Sequence, residues 1–362
     1  MDDAYVGGLL YILGGLAGAV FYLPFKKVKD WAWESYWMIY SLVGLLIVPW
    51  ALALTTSPNV FSVLASAPLK VLFWCYVFGA MWGLGGLTWG LMIRYLGVGL
   101  GLAIGCGLCA SAGQLIPPVF NGEFGDLLVN DWGIATLVGI GVSLVGIVLT
   151  GAAGMSKENE LSEQQKKAAV AEFNFQKGVL VAVFSGVMSA GMAFGLGGGK
   201  AIEKAALTTE PATSATWQGM PVLVVVLLGG FTVNFLWCLY LNFANRTTGD
   251  YTRRGAPLAA NLLFAALAGA IWCSQFAFYK VADATSGNYA FAGWTIFFSA
   301  MMLFSSLLGI ALGEWKGVSQ RTKGLLAASL LTLVAALVII GYGNKLKSQQ
   351  DKPAQPAAAE QK

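Results

Sequence analysis

Long apolar stretches separated by short polar segments make up most of this chain. A helix that crosses the hydrocarbon core of a bilayer needs about 20 mainly apolar residues, and runs of about that length occur ten times. The pattern predicts an all-α integral membrane protein with ten transmembrane helices. The predicted spans are Tyr5–Pro24, Trp37–Thr55, Val71–Met92, Leu96–Pro118, Gly133–Gly151, Gly178–Gly199, Pro221–Asn242, Leu258–Tyr279, Ala290–Leu312 and Gly324–Tyr342.

One long polar loop, rich in Lys, Glu and Gln, divides these spans into two sets of five. We therefore predict a first five-helix repeat over residues 1–152, a polar cytoplasmic linker over 153–177 and a second repeat over 178–344. Residues 345–362 form a polar tail that we expect to be disordered. Because each half has an odd number of helices, the halves would cross the membrane in opposite senses. Inverted repeats of this kind are common in transporters with alternating access.

The distribution of basic residues predicts the orientation in the membrane. The odd-numbered loops hold fourteen lysines and arginines, whereas the even-numbered loops hold four. Cytoplasmic loops carry the excess of positive charge, so the odd loops are predicted to be cytoplasmic and both termini to lie outside.

The composition excludes several classes of function. Only 11% of the residues are charged, against about 25% in an average soluble domain. The net charge is +4, and the basic residues form no dense patch along the sequence, which argues against nucleic acid as a partner. The chain has no histidine, and its five cysteines lie in apolar runs, so we expect no metal site, no cofactor and no enzymatic activity. The cysteines are predicted to be buried packing residues.

The polar residues deep in the spans are neutral, whereas the Asp and Glu residues lie at span ends, in loops or in tails. Amides exchange hydrogen bonds with hydroxyl groups, and aromatic rings pack on C–H faces. These residues therefore favour a neutral, hydroxyl-rich solute, although the amides could instead hold helices together. The candidates for a substrate cavity are Trp89, Gln114, Asn234, Trp272, Gln275 and Tyr279.

Two further patterns concern the packing of the spans. Tryptophans near span ends are typical of the membrane interface, and we expect Trp31, Trp33, Trp37 and Trp50 to lie there. Glycines four residues apart, such as Gly79 and Gly83, allow close approach of membrane helices. Such faces serve static packing or let helix bundles move against each other.

Several segments resemble the L-rhamnose–proton symporter family, a branch of the drug/metabolite transporter superfamily. The resemblance is spread over nearly the whole chain up to the tail. It implies ten helices in two inverted repeats, proton-driven uptake of a neutral deoxy sugar, and a location in the bacterial inner membrane. The segments that carry it are Phe21–Glu34, Phe78–Gly83, Arg94–Gly97, Asn121-Gly122, Ser189–Met192, Asn234, Gln275-Phe276, Phe278-Tyr279 and Glu314-Trp315.

The leading hypothesis is therefore a symporter that moves a neutral 6-deoxyhexose, with L-rhamnose as the first candidate, inward with a proton. Glu34 and Glu314 are the candidate proton carriers, because burial raises the pKa of a carboxyl and a nearby lysine lowers it. The structural alternative for each carboxylate is an interfacial salt bridge or a snorkelling charge. Two other functions stay open, a metabolite or drug exporter and a membrane sugar sensor that does not translocate. The sequence leaves the oligomeric state open.

Overall fold

The computed structural model describes residues 3–97, 100–101, 104–109, 111–112, 124–160, 174–253, 255–286 and 293–350. Within these ranges, helices are the regular elements and eight of them are long and apolar enough to cross a membrane. The chain is thus a multi-pass helical membrane protein. The eight correspond to all the predicted spans except the fourth and the ninth. The ninth is the helix Gly293–Ala311, and of the fourth only residues 100–101, 104–109 and 111–112 are described, all helical.

Fourteen α-helices are described, and we number them in chain order. They are α1 Asp3–Val20, α2 Trp33–Ser41, α3 Val48–Thr56, α4 Val60–Ser66, α5 Leu69–Leu96, α6 Phe124–Val129, α7 Asp131–Glu160, α8 Phe175–Ser189, α9 Gly191–Gly198, α10 Lys200–Thr208, α11 Met220–Ala244, α12 Leu258–Thr285, α13 Gly293–Ala311 and α14 Gln320–Gln350.

The second span is not a uniform α-helix. Between α2 and α3 the segment Leu42–Ile47 forms a π-helix, in which the N–H of Val48 donates to the carbonyl of Val43. Pro49 follows directly, and it has no N–H to give to a carbonyl one turn earlier. The wider turn accommodates that missing donor. Single π turns of this kind are often found near functional sites.

Each long helix packs against particular other helices. The helix α1 lies against α12 and α13, α5 lies against α8, α9 and α11, and α7 lies along α14. The second span, from α2 to α3, contacts both α11 and α12. Large apolar side chains on the outward faces stay exposed, as expected for surfaces that face lipid rather than water.

Glycines make the closest helix crossings possible, as the glycine spacing predicted. A methyl group on Gly79 of α5 would overlap the carbonyl oxygen of Val226 in α11. A methyl on Gly44 would lie 2.6 Å from the carbonyl oxygen of Gly269 in α12. Any larger residue at these positions would push the helices apart, because backbone meets backbone there.

Two helices extend further than predicted and carry charge into buried positions. The helix α7 continues to Glu160 instead of ending near Gly151, and Lys157 on it is only 1% exposed. The helix α12 continues to Thr285, so that Lys280 is buried within a helix rather than exposed in a loop. The sequence interpretation of both lysines as loop residues was wrong. Apolar periodicity alone ends a helix at its first charge, whereas these charges have neighbours in distant segments, Glu203 for Lys280 and Trp315 for Lys157.

Candidate functional site

A small pocket lies among the spans, and we call it the central pocket. Its volume is about 60 Å³, room for only a few water-sized spheres, whereas ligand sites usually measure about 300–1,000 Å³. Elements of both predicted halves contribute to it. It is lined by Gly18, Phe21, Trp37, Tyr40, Trp82, Gly86, Trp89, Cys109, Ser189, Met192, Trp272, Gln275, Phe276, Trp294, Phe297, Phe298 and Met301.

Aromatic rings form most of the wall of the central pocket. Trp82 of α5 stacks on Trp272 of α12 with 4.9 Å between ring centroids and 26° between planes. Tyr40 approaches Trp272 edge-on at 6.1 Å, and Phe276 lies 5.2 Å from the same ring. Flat apolar faces of this kind suit the C–H faces of a sugar ring.

The polar groups at the central pocket are few and neutral. The Nε1 of Trp89 donates to the Oγ of Ser189 at 2.7 Å. The Nε2 of Gln275 donates to the carbonyl of Trp272 at 2.9 Å. No donor from a described residue reaches the Oε1 of Gln275, so this oxygen is available to accept a hydrogen bond from a hydroxyl group. A methyl on Gly18 would lie only 2.6 Å from it, so glycine makes room for the amide.

A second, much larger cavity lies at the end of the molecule where the odd-numbered loops meet, and we call it the wide cavity. Its volume is about 1080 Å³. Both predicted proton carriers lie on its wall, together with two basic residues. It is lined by Tyr22, Lys26, Trp33, Glu34, Tyr36, Leu84, Leu87, Thr88, Gly90, Leu91, Ile93, Arg94, Gly97, Phe184, Val233, Leu236, Trp237, Leu241, Asn245 and Glu314.

Neutral donors hold the carboxylate of Glu34, which is 5% exposed. The Nδ2 of Asn245 and the Oγ1 of Thr247 each donate to its Oε1 at 2.9 Å. These two residues follow α11, whereas Glu34 begins α2. The contact therefore ties the entrance of the second span to the end of the seventh.

A second carboxylate beside Glu34 was missed in the sequence. Asp250, which is 8% exposed, accepts hydrogen bonds from the Oγ of Ser35 at 2.7 Å and from the backbone N–H of Ala32 at 2.8 Å. The phenol of Tyr251 donates to the carbonyl of Ser35 at 3.2 Å, and burial raises the pKa of Tyr251 above its ordinary value. No sequence signal connects Asp250 with the start of α2, because their contact spans more than 200 residues.

Glu314 lies just beyond α13 and is 3% exposed. Lys157 of α7 is its electrostatic neighbour, and the Nζ of Lys157 lies 4.7 Å from the ring centroid of Trp315. A cation over an indole face is attracted by the negative face of the ring. The two candidate carriers therefore differ in surroundings, because neutral donors hold Glu34 while a buried lysine lies near Glu314.

An ion cluster lies at the opposite end of the molecule. Lys280 of α12 pairs with Glu203 of α10, and both side chains are buried. Lys200 lies 3.2 Å from Glu203, and Asp283 lies 3.8 Å from Lys280. Sequence reasoning placed these residues in loops and missed the cluster, although the lysines and acids lie near predicted span ends.

The structure brings three of the six predicted cavity residues to the central pocket. They are Trp89, Trp272 and Gln275. Tyr279 lies one ring further back and packs against Trp294 and Phe297, whose centroids lie 5.0 and 5.7 Å from its own. Gln114 falls outside the described residues.

Asn234 instead joins helices, which is the alternative that the sequence left open. Its Nδ2 donates to the carbonyls of Gly230 at 2.9 Å and Gly83 at 3.2 Å, and its Oδ1 accepts from the Nε1 of Trp37 at 2.8 Å. Asn234 lines neither cavity in this conformation. The expectation that Trp37 lies at the membrane interface was wrong, because this indole is 2% exposed and lines the central pocket.

No cluster of three possible metal ligands occurs among the described residues. All five cysteines are free and buried, which confirms the prediction for their packing.

The spans, the wide cavity at one end and the aromatic central pocket are the features of a polytopic helical membrane protein of the transporter class. The chain belongs to the L-rhamnose-proton symport protein family (RhaT), whose model matches residues 1–345. This family is defined by symport rather than by an enzymatic reaction.

Curated relatives agree with the family model. The chain is 33% identical over 349 residues to the L-rhamnose-proton symporter of Yersinia pestis (strain Pestoides F), which covers 95% of this chain and 99% of the relative. It is also 33% identical over 351 residues to the L-rhamnose-proton symporter of Klebsiella pneumoniae (strain 342), with the same coverage. No solved structure matches the chain.

Proposed function

We propose that this protein is a secondary symporter that carries a neutral deoxy sugar, L-rhamnose in the first instance, into the cell together with protons. The observation that carries the proposal is the central pocket, a small space with aromatic walls and neutral polar groups in a chain of the symporter family. The names of the relatives supply the sugar and the proton.

The chemistry of the central pocket fits an uncharged sugar better than an ion. The residues that line it carry no charge, whereas a buried ionic substrate needs an opposite charge or strong donors. We propose that the Oε1 of Gln275 accepts a bond from a sugar hydroxyl and that Trp82 and Trp272 pack on the ring. A 6-deoxy sugar also carries a methyl group, for which the side chains of Met301 and Phe297 offer an apolar wall.

We propose that the conformation described here is closed on the side of the even loops and open on the side of the odd loops. The wide cavity gives access from the odd side, while the Lys280–Glu203 pair closes the even side. The central pocket, at about 60 Å³, has to widen before a sugar enters. Movement of helices along their glycine faces would provide that change.

The pattern of helix neighbours supports ten helices in two inverted repeats over 1–152 and 178–344. If the first span is equivalent to the sixth and the eighth to the third, then contact of α1 with α12 has its counterpart in contact of α8 with α5. The ninth span, α13, is in the same way equivalent to the fourth. The contact of α1 with α13 therefore has its counterpart in the contact of α8 with the fourth span, where Gly186 approaches the carbonyl of Gly105. The α7–α14 pair would join the fifth span to the tenth.

We propose that Glu34 or Glu314 carries the proton. Both carboxylates are buried and line the wide cavity, so that a proton reaches them from one side of the membrane only. Lys26 and Arg94 share that cavity and would favour the charged form of a carboxylate when it is open. We place the protein in the bacterial inner membrane, with the odd loops in the cytoplasm and both termini outside.

The experiment is sugar-induced proton uptake in cells that express this protein and no other sugar symporter. Addition of L-rhamnose should make a weakly buffered medium more alkaline and should lead to accumulation of labelled sugar, both abolished by a protonophore. Accumulation of sugar in inside-out vesicles but not in right-side-out vesicles would identify an exporter. Sugar binding without accumulation or alkalinisation would identify a sensor, and either result would overturn the proposal.

A further inference from the structure

A third cavity, a groove on the side of the odd loops, is separate from the two cavities described above. It lies between the end of α13 and the beginning of α14, and its volume is about 1140 Å³. The symport mechanism proposed above makes no use of it. The groove is lined by Ile310, Ala311, Leu312, Gly313, Trp315, Lys316, Gly317, Lys323, Leu326, Ala327 and Leu330.

The groove has a charged end and an apolar end. Lys316 and Lys323 are exposed at the level where α13 has ended and α14 begins. Neither lysine forms a salt bridge with a described residue, and the residues that line the groove include no acid. Trp315, which lines the same groove, is a residue type that marks the level of lipid headgroups.

The other end of the groove is apolar. Along α14 the lining runs from Lys323 to Leu330, which is about 10 Å at roughly 1.5 Å per residue. Leu326 and Ala327 lie between them, and Ile310 and Leu312 form the opposite wall. A water-soluble anion would contact the lysines and leave this wall uncovered, whereas a lipid would cover both ends at once.

We infer that this groove binds an anionic phospholipid, with the phosphate between Lys316 and Lys323 and the upper part of an acyl chain against Leu326 and Leu330. Basic pockets between transmembrane helices bind acidic headgroups in this way, and each lysine near a membrane surface adds to the attraction. The charge of the groove selects an acidic headgroup, and its apolar wall selects a lipid over free phosphate.

The groove also adjoins a functional part of the molecule. Glu314 lies on the wide cavity, while its chain neighbours Gly313, Trp315 and Lys316 line the groove. A lipid bound there would therefore hold the turn that carries a candidate proton carrier. The test of the lipid site is independent of symport, because it measures lipid binding and not transport.

The test is native mass spectrometry of the full chain in detergent with phosphatidylglycerol and with phosphatidylcholine. We expect the protein to retain phosphatidylglycerol at least several-fold better than phosphatidylcholine. The double variant Lys316→Gln/Lys323→Gln should lose about tenfold in apparent affinity for phosphatidylglycerol. Lys177→Gln, a matched control at another exposed lysine in the first turn of α8, should retain it like the wild type.

Two further measurements distinguish a lipid from free phosphate as the ligand of the groove. Ala327→Phe fills the apolar end without a change of charge, and it should also weaken retention of phosphatidylglycerol. Inorganic phosphate at a matched concentration should not displace the lipid. Equal retention of the two lipids, a lysine double variant that behaves like Lys177→Gln, or full displacement by inorganic phosphate would each overturn the inference.

Discussion

The indole rings of Trp82 and Trp272 stack on each other at 4.9 Å across the boundary between the two halves of the chain. One ring belongs to the third span and the other to the eighth, and both line the central pocket. The proposed substrate site is therefore assembled from helices that are 190 residues apart in sequence. Its shape depends on how the two halves meet.

Truncation of one of these rings should weaken sugar binding. Trp272→Ala removes a face of the central pocket, and we expect the Kd for L-rhamnose to rise about tenfold, since aromatic contacts contribute roughly 0.5–1.5 kcal/mol beyond their buried area. Trp272→Phe should recover much of the affinity. The control is Trp74→Ala, because Trp74 is exposed on an outward face. Calorimetry on purified protein gives the Kd, and equal losses in Trp74→Ala and Trp272→Ala would contradict a role in binding.

The two buried amides should separate binding from stability. Gln275→Leu removes an acceptor that no described donor uses, so the Kd for the sugar should rise up to about tenfold while the Tm stays within a few degrees of the wild type. Asn234→Ala leaves the indole N–H of Trp37 without its acceptor, which costs about 1–3 kcal/mol. Its Tm should therefore fall clearly. Differential scanning fluorimetry measures the Tm and calorimetry measures the Kd. A lowered Tm with an unchanged Kd in Gln275→Leu would show that Gln275 is the structural amide.

Neutralisation of the proton carrier should uncouple transport from pH. If Glu34 carries the proton, Glu34→Gln should abolish accumulation driven by a pH gradient and leave sugar counterflow exchange near the wild-type rate. The same holds for Glu314→Gln if Glu314 is the carrier. Glu210→Gln, at an exposed carboxylate, is the control and should behave as wild type. A variant that keeps gradient-driven accumulation removes its residue from consideration as the carrier.

The ion pair between Lys280 and Glu203 should behave as a buried pair. Glu203→Gln leaves the ammonium of Lys280 buried without its main partner, and loss of one member of such a pair costs about 3–5 kcal/mol, so the Tm should fall. The double variant Glu203→Gln/Lys280→Met removes the buried charge and should recover part of that loss. Lys200→Gln changes a side chain that is 71% exposed and should leave the Tm unchanged. A double variant less stable than Glu203→Gln would argue against pairing.

The end of α7 is fixed to the beginning of α14 by a carboxylate whose state depends on pH. Glu160 accepts from the backbone N–H of Ser319 at 2.6 Å and from the hydroxyls of Thr322 at 2.6 Å and Ser319 at 2.8 Å. These bonds, that of the Ser319 backbone above all, lower the pKa of Glu160 to about 2 from its ordinary 4.5.

A carboxyl with a lowered pKa in the folded state stabilises the fold above its ordinary pKa, and this contribution is lost as the pH falls towards the lowered value. The Tm of the wild type should therefore drop between pH 4.5 and pH 2 by more than that of Glu160→Gln, which cannot titrate at this position. Glu210→Gln should follow the wild type. Parallel curves for wild type and Glu160→Gln would show that these bonds do not stabilise the ionised form.

The sequence by itself determined the membrane class, most span positions, the glycine crossings and the family, because each is written in local composition or in a continuous motif. An apolar run of about 20 residues is stable in lipid mainly as a helix, because a helix satisfies its own backbone hydrogen bonds. The sequence also singled out Trp89, Trp272 and Gln275, since an amide or indole deep in an apolar span is unusual.

Only the tertiary structure decided which polar residues face a cavity and which join helices. Asn234 and Gln275 look alike in sequence, yet Asn234 bonds to Gly83, Gly230 and Trp37, while no described residue donates to the Oε1 of Gln275. Lys157, Lys280 and Asp250 are loop charges by sequence pattern, but groups from distant segments of the chain make their burial tolerable. The physical reason is that burial of a polar group depends on donors and acceptors brought by other segments, and no local pattern in the chain records them.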